Sequence, residues 1–228
     1  MEAERVEVVC RDAVPVACAD DGGPLGPGSA LFGHLAGRSG RIKGTPALGL
    51  VRVMRRDHSG RMPQFLDQLD APTRRLVEEG ITASDWYPAA LVCALLRARD
   101  RVLPDLAPAE QVRLGREYFR VMARGYYGIF FRLSGPERLF AMASKLWKQF
   151  QTAGDLVIDD SDKGFVRGRI TGEPANLEPG HTEAVLGAIC EALVSAGAAK
   201  LQLAYGRLPP DTVVAELRWS RRKAAGRT

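Results

Sequence analysis

Hydrophobic residues recur at helical spacing over most of residues 43–151. Candidate helices begin at Pro46, Pro72 and Pro108, because proline fits the first turn of a helix. The apolar run from Ala89 to Leu96 predicts a largely buried helix. Two further helices are predicted at 62–69 and 136–151, and the segment 126–133 is strongly apolar. This part of the chain is therefore predicted to be mainly helical.

After residue 151 the pattern changes to short apolar stretches separated by turn residues. Asp155–Asp159 and Phe165–Thr171 flank one turn, and Leu201–Tyr205 and Val213–Trp219 flank another, which predicts two β-hairpins. A helix is predicted between them, from His181 to Gly197. The fold class predicted is α+β, with an N-terminal helical half packed on a C-terminal antiparallel sheet whose two hairpins flank one helix (β-β-α-β-β).

The two ends of the chain differ from its middle. Eight of the 24 glycines fall between Gly22 and Gly44, a density too high to cover a core. Residues 1–40 are therefore predicted to form a flexible arm with a short strand at 6–9, residues 41–219 a single domain, and residues 220–228 a basic tail. The last eleven residues carry five cations and no acid: Arg218, Arg221, Arg222, Lys223 and Arg227.

The charge balance argues against a nucleic-acid-binding domain. The 228 residues carry a net charge of +5, and the five cations of the last eleven residues account for all of it. The body of the chain has no net excess to release phosphate counterions, so no specific nucleic acid is expected as a partner. No apolar run is long enough for a membrane span and no secretory signal is visible, so a cytoplasmic location is expected.

The sequence offers few groups that could perform catalysis or hold a metal. Cys10, Cys18, Cys93 and Cys190 form no CxxC pair, which predicts neither a zinc site nor a disulfide framework. The three histidines are His34, His58 and His181, and we interpret His181 as a surface or helix-capping residue. Arginines such as Arg99 are interpreted as part of solvated helix faces. No set of residues supplies a nucleophile, a base and a stabilising group together, so the chain is not expected to be an enzyme.

Aromatic residues concentrate in the predicted middle helices. They suggest a pocket for a hydrophobic or planar molecule, although ordinary core packing would produce the same pattern. The candidate pocket residues are Trp86, Tyr87, Tyr118, Tyr126, Tyr127, Phe130, Trp147 and Phe150.

Five short motifs in order carry a resemblance to known proteins: Ile42-Lys43-Gly44-Thr45, Ser84-Asp85-Trp86-Tyr87-Pro88, Leu114-Gly115-Arg116, Ser134-Gly135-Pro136-Glu137 and Leu146-Trp147. With them, residues 41–219 resemble an uncharacterised bacterial family that is expanded as paralogues in myxobacteria. The layout is more distantly similar to heme-based H-NOX sensor domains and to their heme-free relatives, the 4-vinyl-reductase-like and TRAPP-type domains. The resemblance implies helices packed on an antiparallel sheet, with small-molecule sensing or protein assembly as the usual roles.

The chain also departs from the H-NOX pattern. It lacks the Tyr-x-Ser-x-Arg element that clamps the heme propionates, and Trp147 falls where the iron-binding histidine would be. Only Cys190 lies in the region where such proteins often carry a cysteine pair. No cofactor and no metal are therefore expected. The prediction is a heme-free ligand-sensing or signalling module with a protein partner or a homodimer, and the alternative is an assembly scaffold without a small-molecule ligand.

Overall fold

The computed structural model describes residues 7–10, 40–104, 106–123, 126–172, 180–208 and 212–221. The helices are α1 (Gly44–Asp57), α2 (Met62–Asp67), α3 (Ala71–Glu79), α4 (Ala89–Val102), α5 (Pro108–Met122), α6 (Tyr126–Ser134), α7 (Pro136–Ala141), α8 (Ala143–Phe150) and α9 (His181–Ser195), with a 3₁₀ turn at Ser59–Arg61. The strands are β1 (Glu7–Cys10), β2 (Arg41–Lys43), β3 (Trp86–Pro88), β4 (Asp155–Asp162), β5 (Phe165–Thr171), β6 (Ala198–Leu208) and β7 (Thr212–Arg221).

The main sheet has five strands in the order β1-β6-β7-β5-β4. Its pairs β4–β5, β5–β7 and β6–β7 are antiparallel, which confirms a mixed helix and sheet fold with an antiparallel sheet. The short strand predicted near residues 6–9 is present as β1, and it pairs parallel with β6, Glu7 lying opposite Gln202. The predicted β-β-α-β-β arrangement therefore does not describe the whole sheet. The glycine-rich remainder of the predicted arm and the tail after Arg221 lie outside the described residues.

A second, two-stranded sheet was not predicted. β2 pairs antiparallel with β3, so that Ile42 lies opposite Tyr87, and Ile42 also forms a bridge with Gln151. These contacts join the start of α1 to the start of α4 and to the end of α8. The single helix predicted at 136–151 is divided at Met142, where the backbone leaves helical geometry (φ −108°, ψ 1°).

The helix α9 joins two parts of the core. Leu186, Cys190 and Leu193 pack with the inward side chains of the main sheet. Ala188 and Ala192 pack against Phe119 and its neighbours in the helical layer. Since these positions recur every three or four residues, they form two adjacent stripes along one helix.

Two glycines let α9 and α5 approach backbone to backbone. A Cβ atom added at Gly187 would lie 2.2 Å from the carbonyl oxygen of Val112, and one added at Gly115 would lie 2.2 Å from the carbonyl oxygen of Ala184. Ordinary contacts of such an atom begin at 3.4 Å, so only glycine fits at either position. The backbones of α5 and α9 are therefore in direct contact at these two positions. Over the described part of the chain, no helix is long and apolar enough to cross a membrane.

Candidate ligand-binding cavity

An apolar cavity of about 210 Å³ lies among α5, α7, α8 and α9. Its walls include Phe119 from α5, Leu139 from α7, Trp147 and Phe150 from α8, and Ala188 from α9. Among the lining residues that the structure describes, four side chains carry polar atoms: Tyr118, Trp147, Gln151 and His181. The arrangement suits a small molecule with a mainly apolar surface.

Three of the eight predicted pocket residues line this cavity: Tyr118, Trp147 and Phe150. Trp147 is buried, and its indole N–H donates to the carbonyl oxygen of Gly154 at 3.2 Å. Phe130 is not among the lining residues. Its ring packs edge to face on Phe131, which is a lining residue, with ring centroids 5.6 Å apart. Whether these side chains hold a ligand stays a prediction.

The other predicted pocket residues are not brought together there. Trp86 lies in β3, where the Lys43 ammonium stands 4.4 Å from the centre of its ring. The hydroxyl of Tyr87 accepts a hydrogen bond from the backbone N–H of Thr82 at 3.0 Å. Both residues therefore support the small sheet. The side chains of Tyr126 and Tyr127 lie outside the described part of the structure.

A fully buried arginine lies behind one end of the cavity. Arg99 has no exposed surface, so its interpretation as part of a solvated helix face is wrong. It donates from Nε and Nη2 to one carboxylate oxygen of Asp100, at 2.7 and 2.5 Å, and from Nη1 to the Tyr118 hydroxyl at 3.4 Å. Burial raises the pKa of Tyr118, so this phenol stays neutral at physiological pH.

The interpretation of His181 as a surface or capping residue is also wrong. This side chain is 3% exposed and lines the cavity at the first turn of α9. The chain enters this turn through Gly180, whose φ of 72° favours glycine. Thr182, the next residue, is fully buried as well. The N-terminus of α9 is therefore an interior feature of the fold.

A buried ionic network joins α5 to α9. Glu191 of α9 accepts from Arg116 at 2.9 Å and from Arg120 at 2.8 Å, both on α5. Arg116 and Glu191 are each 7% exposed. The buried pair of Arg116 and Glu191 fixes the relative position of α5 and α9, because displacing either helix would separate two desolvated charges. The Arg120 side chain is 40% exposed, so its contact with Glu191 is more screened by solvent.

Two thiols lie among the described side chains. Cys93 and Cys190 are buried, and neither is in a disulfide within the described residues. Burial raises the pKa of Cys190 to about 12, which keeps it protonated. Within the ranges that the structure describes, no group of three or more His, Cys, Asp or Glu side chains is placed to hold a metal ion. That the chain is not an enzyme remains a prediction.

No family model and no curated protein matches the chain. Its solved structural neighbours are H-NOX domains of low sequence identity. An Fe(II) unliganded H-NOX protein from K. algicida has a TM-score of 0.61 at 10% identity, over 81% of this chain and 100% of that one. An H-NOX protein from S. oneidensis in the Fe(II)NO ligation state has a TM-score of 0.60 at 10% identity, over 79% and 100%. An oxygen-binding H-NOX domain related to soluble guanylate cyclases has a TM-score of 0.56 at 12% identity, over 82% and 100%. The chain thus shares the H-NOX fold.

The cavity lining does not fit a heme. Among the described lining residues, His181 is the side chain suited to bind iron, and none is an arginine or lysine that could pair with the two propionates. Arg99, which lies behind the wall, is already bonded to Asp100. The volume of about 210 Å³ is also below the roughly 300–1,000 Å³ of pockets for drug-sized ligands, and a heme is larger than most of those ligands.

Proposed function

We propose that this protein is a heme-free ligand-sensing or signalling domain that acts by binding and not by turnover. The observation that carries the proposal is the apolar cavity of about 210 Å³ between the helices, which is lined by buried and half-buried side chains. Protein interiors are normally close-packed, and voids larger than a water molecule are few. Because an engineered apolar cavity of roughly 150 Å³ holds benzene, this one suits a benzene-sized ring with a short side chain.

The position of the cavity supports a route from binding to a change at the surface. α9 contributes Ala188 and Ala192 to the cavity and packs Leu186 on the main sheet. A ligand that binds more tightly to one packing of α8 against α9 would increase the population of that packing. A partner that contacts these helices or the sheet would then detect the ligand.

The test is native mass spectrometry of the purified chain and of two variants. Ala188→Phe fills the cavity from α9, and Ala141→Phe places the same ring at an exposed position of α7 outside the cavity. We expect a co-purified small molecule, or an added apolar one, on the wild type and on Ala141→Phe but not on Ala188→Phe. Equal occupancy of the two variants would contradict this site, and a Soret absorption band would contradict the heme-free assignment.

A second candidate function is protein assembly, as a scaffold or homodimer. On α6, Ile129 is 54% exposed and Leu133 is 79% exposed, and the spacing of four residues places them on one face. Light scattering coupled to size-exclusion chromatography tests this candidate. A dimer of the wild type that dissociates in Leu133→Gln but not in Lys145→Gln, an exposed position on α8, would support assembly through α6.

A further inference from the structure

The hydroxyl of Tyr118 is a buried hydrogen-bond donor in the wall of the cavity. Tyr118 is 7% exposed and lines the cavity. An arginine side chain can only donate, so Tyr118 must be the acceptor in its 3.4 Å contact with Arg99. Among the hydrogen bonds of the described residues, no group accepts the proton of this hydroxyl. A buried phenol usually finds a partner for that proton, so the geometry at Tyr118 points to an acceptor supplied by a ligand.

Further polar groups lie at the same end of the cavity. The Arg99 Nη2 atom packs against the start of α9, because a Cβ added at Gly180 would lie 2.2 Å from it. His181 lines the cavity at this point, and the buried Thr182 hydroxyl on the same turn has no hydrogen-bond partner. α9 is 15 residues long and its first turn has no side-chain cap, so its partial positive charge lies beside these groups. The Tyr118 proton and the helix N-terminus favour an oxygen acceptor, whereas the Thr182 hydroxyl can donate or accept. The buried Gln111 Oε1 atom, 2.1 Å from the same Cβ position, is an acceptor without a hydrogen-bond partner, but Gln111 is not among the described lining residues.

Most of the other described lining residues are apolar, and they include Phe119, Phe131, Leu139, Phe140 and Ala192. Ala192 lies eleven residues beyond His181 along α9, a distance of about 16 Å. A molecule that fills the whole cavity would therefore have one polar end and one apolar end. The Arg99 charge is partly offset by Asp100, so recognition depends on directed donors and not on an unpaired cation.

We propose that the ligand of this cavity carries a hydrogen-bond-accepting oxygen, of a carbonyl or a carboxylate, on a compact apolar body, and that Tyr118 donates to that oxygen. The proposal rests on the proposed function and deepens it. Arg99 is the positioning residue, because its Nη1 atom contacts the Tyr118 oxygen at 3.4 Å and so orients the phenol proton away from the guanidinium. The apolar body then lies along α9 towards Phe131.

Three probes of nearly the same shape distinguish the contribution of the oxygen-bearing group from that of the apolar body. They are isopentylbenzene, 4-phenylbutan-2-one and 3-phenylpropionate. Their dissociation constants are measured by calorimetry on the wild type, on Tyr118→Phe and on Tyr87→Phe, whose hydroxyl lies outside the cavity. A net hydrogen bond of ordinary strength predicts about tenfold tighter binding of the better oxygen-bearing probe than of the hydrocarbon. Tyr118→Phe should abolish this preference and leave hydrocarbon binding within about twofold of the wild-type value. Tyr87→Phe should retain the preference.

The outcomes distinguish a failure of this inference from a failure of the proposed ligand-sensing function on which it rests. If the hydrocarbon binds the wild type as tightly as both oxygen-bearing probes, the inference is wrong and the apolar site stands. A preference that survives in Tyr118→Phe also overturns it, since the hydrocarbon shows that the variant is folded. If none of the three probes binds, both proposals fail. The tighter of the two oxygen-bearing probes identifies the head group as carbonyl or carboxylate.

Discussion

Because α5 and α9 pack backbone to backbone at Gly187, adding a single methyl group there is expected to destabilise the fold. In Gly187→Ala, the new methyl group would lie 2.2 Å from the Val112 carbonyl oxygen and 2.9 Å from the Arg116 amide nitrogen. Both are backbone atoms, so no side-chain rotation can relieve the overlap. To reach an ordinary contact of 3.4 Å, the helices must separate by about 1 Å.

The size of the effect follows from two opposing terms. Forcing extra volume into a packed interior costs about 1–3 kcal/mol, and the backbone contact here favours the upper end of that range. Alanine in a helix interior is about 1 kcal/mol more favourable than glycine, which offsets part of the cost. We therefore expect the free energy of unfolding to fall by about 2 kcal/mol. In a domain of this size that corresponds to a decrease in melting temperature of about 4–8 °C.

Urea unfolding followed by circular dichroism measures this change, with Gly60→Ala as the matched control. A Cβ at Gly60 has no atom within 4 Å, so that variant should unfold within about 0.5 kcal/mol of the wild type. If Gly187→Ala unfolds at the same urea concentration as Gly60→Ala, the close approach of the two helices is refuted.

Two further predictions concern buried ionisable groups. Glu191→Gln removes the carboxylate to which the buried Arg116 donates and should lower the free energy of unfolding by about 3 kcal/mol in urea titrations, while the more exposed Arg120 keeps its pair with Glu117. Glu79→Gln, in an exposed pair with Arg75, should change it by less than about 0.5 kcal/mol, and equal effects would disprove the buried network. Because burial raises the pKa of Cys190 from 9.0 to about 12, the folded chain holds this proton more tightly than the unfolded one. Its contribution to stability should be complete below pH 9 and be lost as the pH rises towards 12, so the pH dependence of unfolding should be weaker in Cys190→Ala. Iodoacetamide at pH 8 should leave the Cys190 thiol of the folded protein unmodified, and rapid labelling there would contradict its burial.

The periodicity of the sequence predicted the local elements well, but not which polar residues enter the interior. Arg99 follows Val92 and Leu96 on the apolar stripe of α4, and His181 precedes Val185 and Ile189 on that of α9. This helical spacing was the signal in the sequence that Arg99 and His181 could be buried. The polar character of both side chains argued for exposure. The contacts that bury them come partly from distant residues, such as Tyr118 of α5 in the case of Arg99.

The strand pairs that were missed are also the ones between distant residues. The hairpins β4–β5 and β6–β7 have turn residues between their strands, and these are visible in the sequence. The pairs β1–β6 and β2–β3 join short strands across long stretches of chain, where no turn sets the register. Of the aromatic residues predicted to form the pocket, Tyr118, Trp147 and Phe150 line the cavity. Trp86 and Tyr87 lie instead in β3, where they pair with β2.

Xenon binding tests the central claim most directly, because this atom enters apolar cavities without needing any particular head group. Diffraction from a crystal of the protein held under xenon pressure should show a strong peak among Phe119, Trp147 and Ala188. Clear density for these side chains with no xenon between them would show a closed core and contradict a ligand site there.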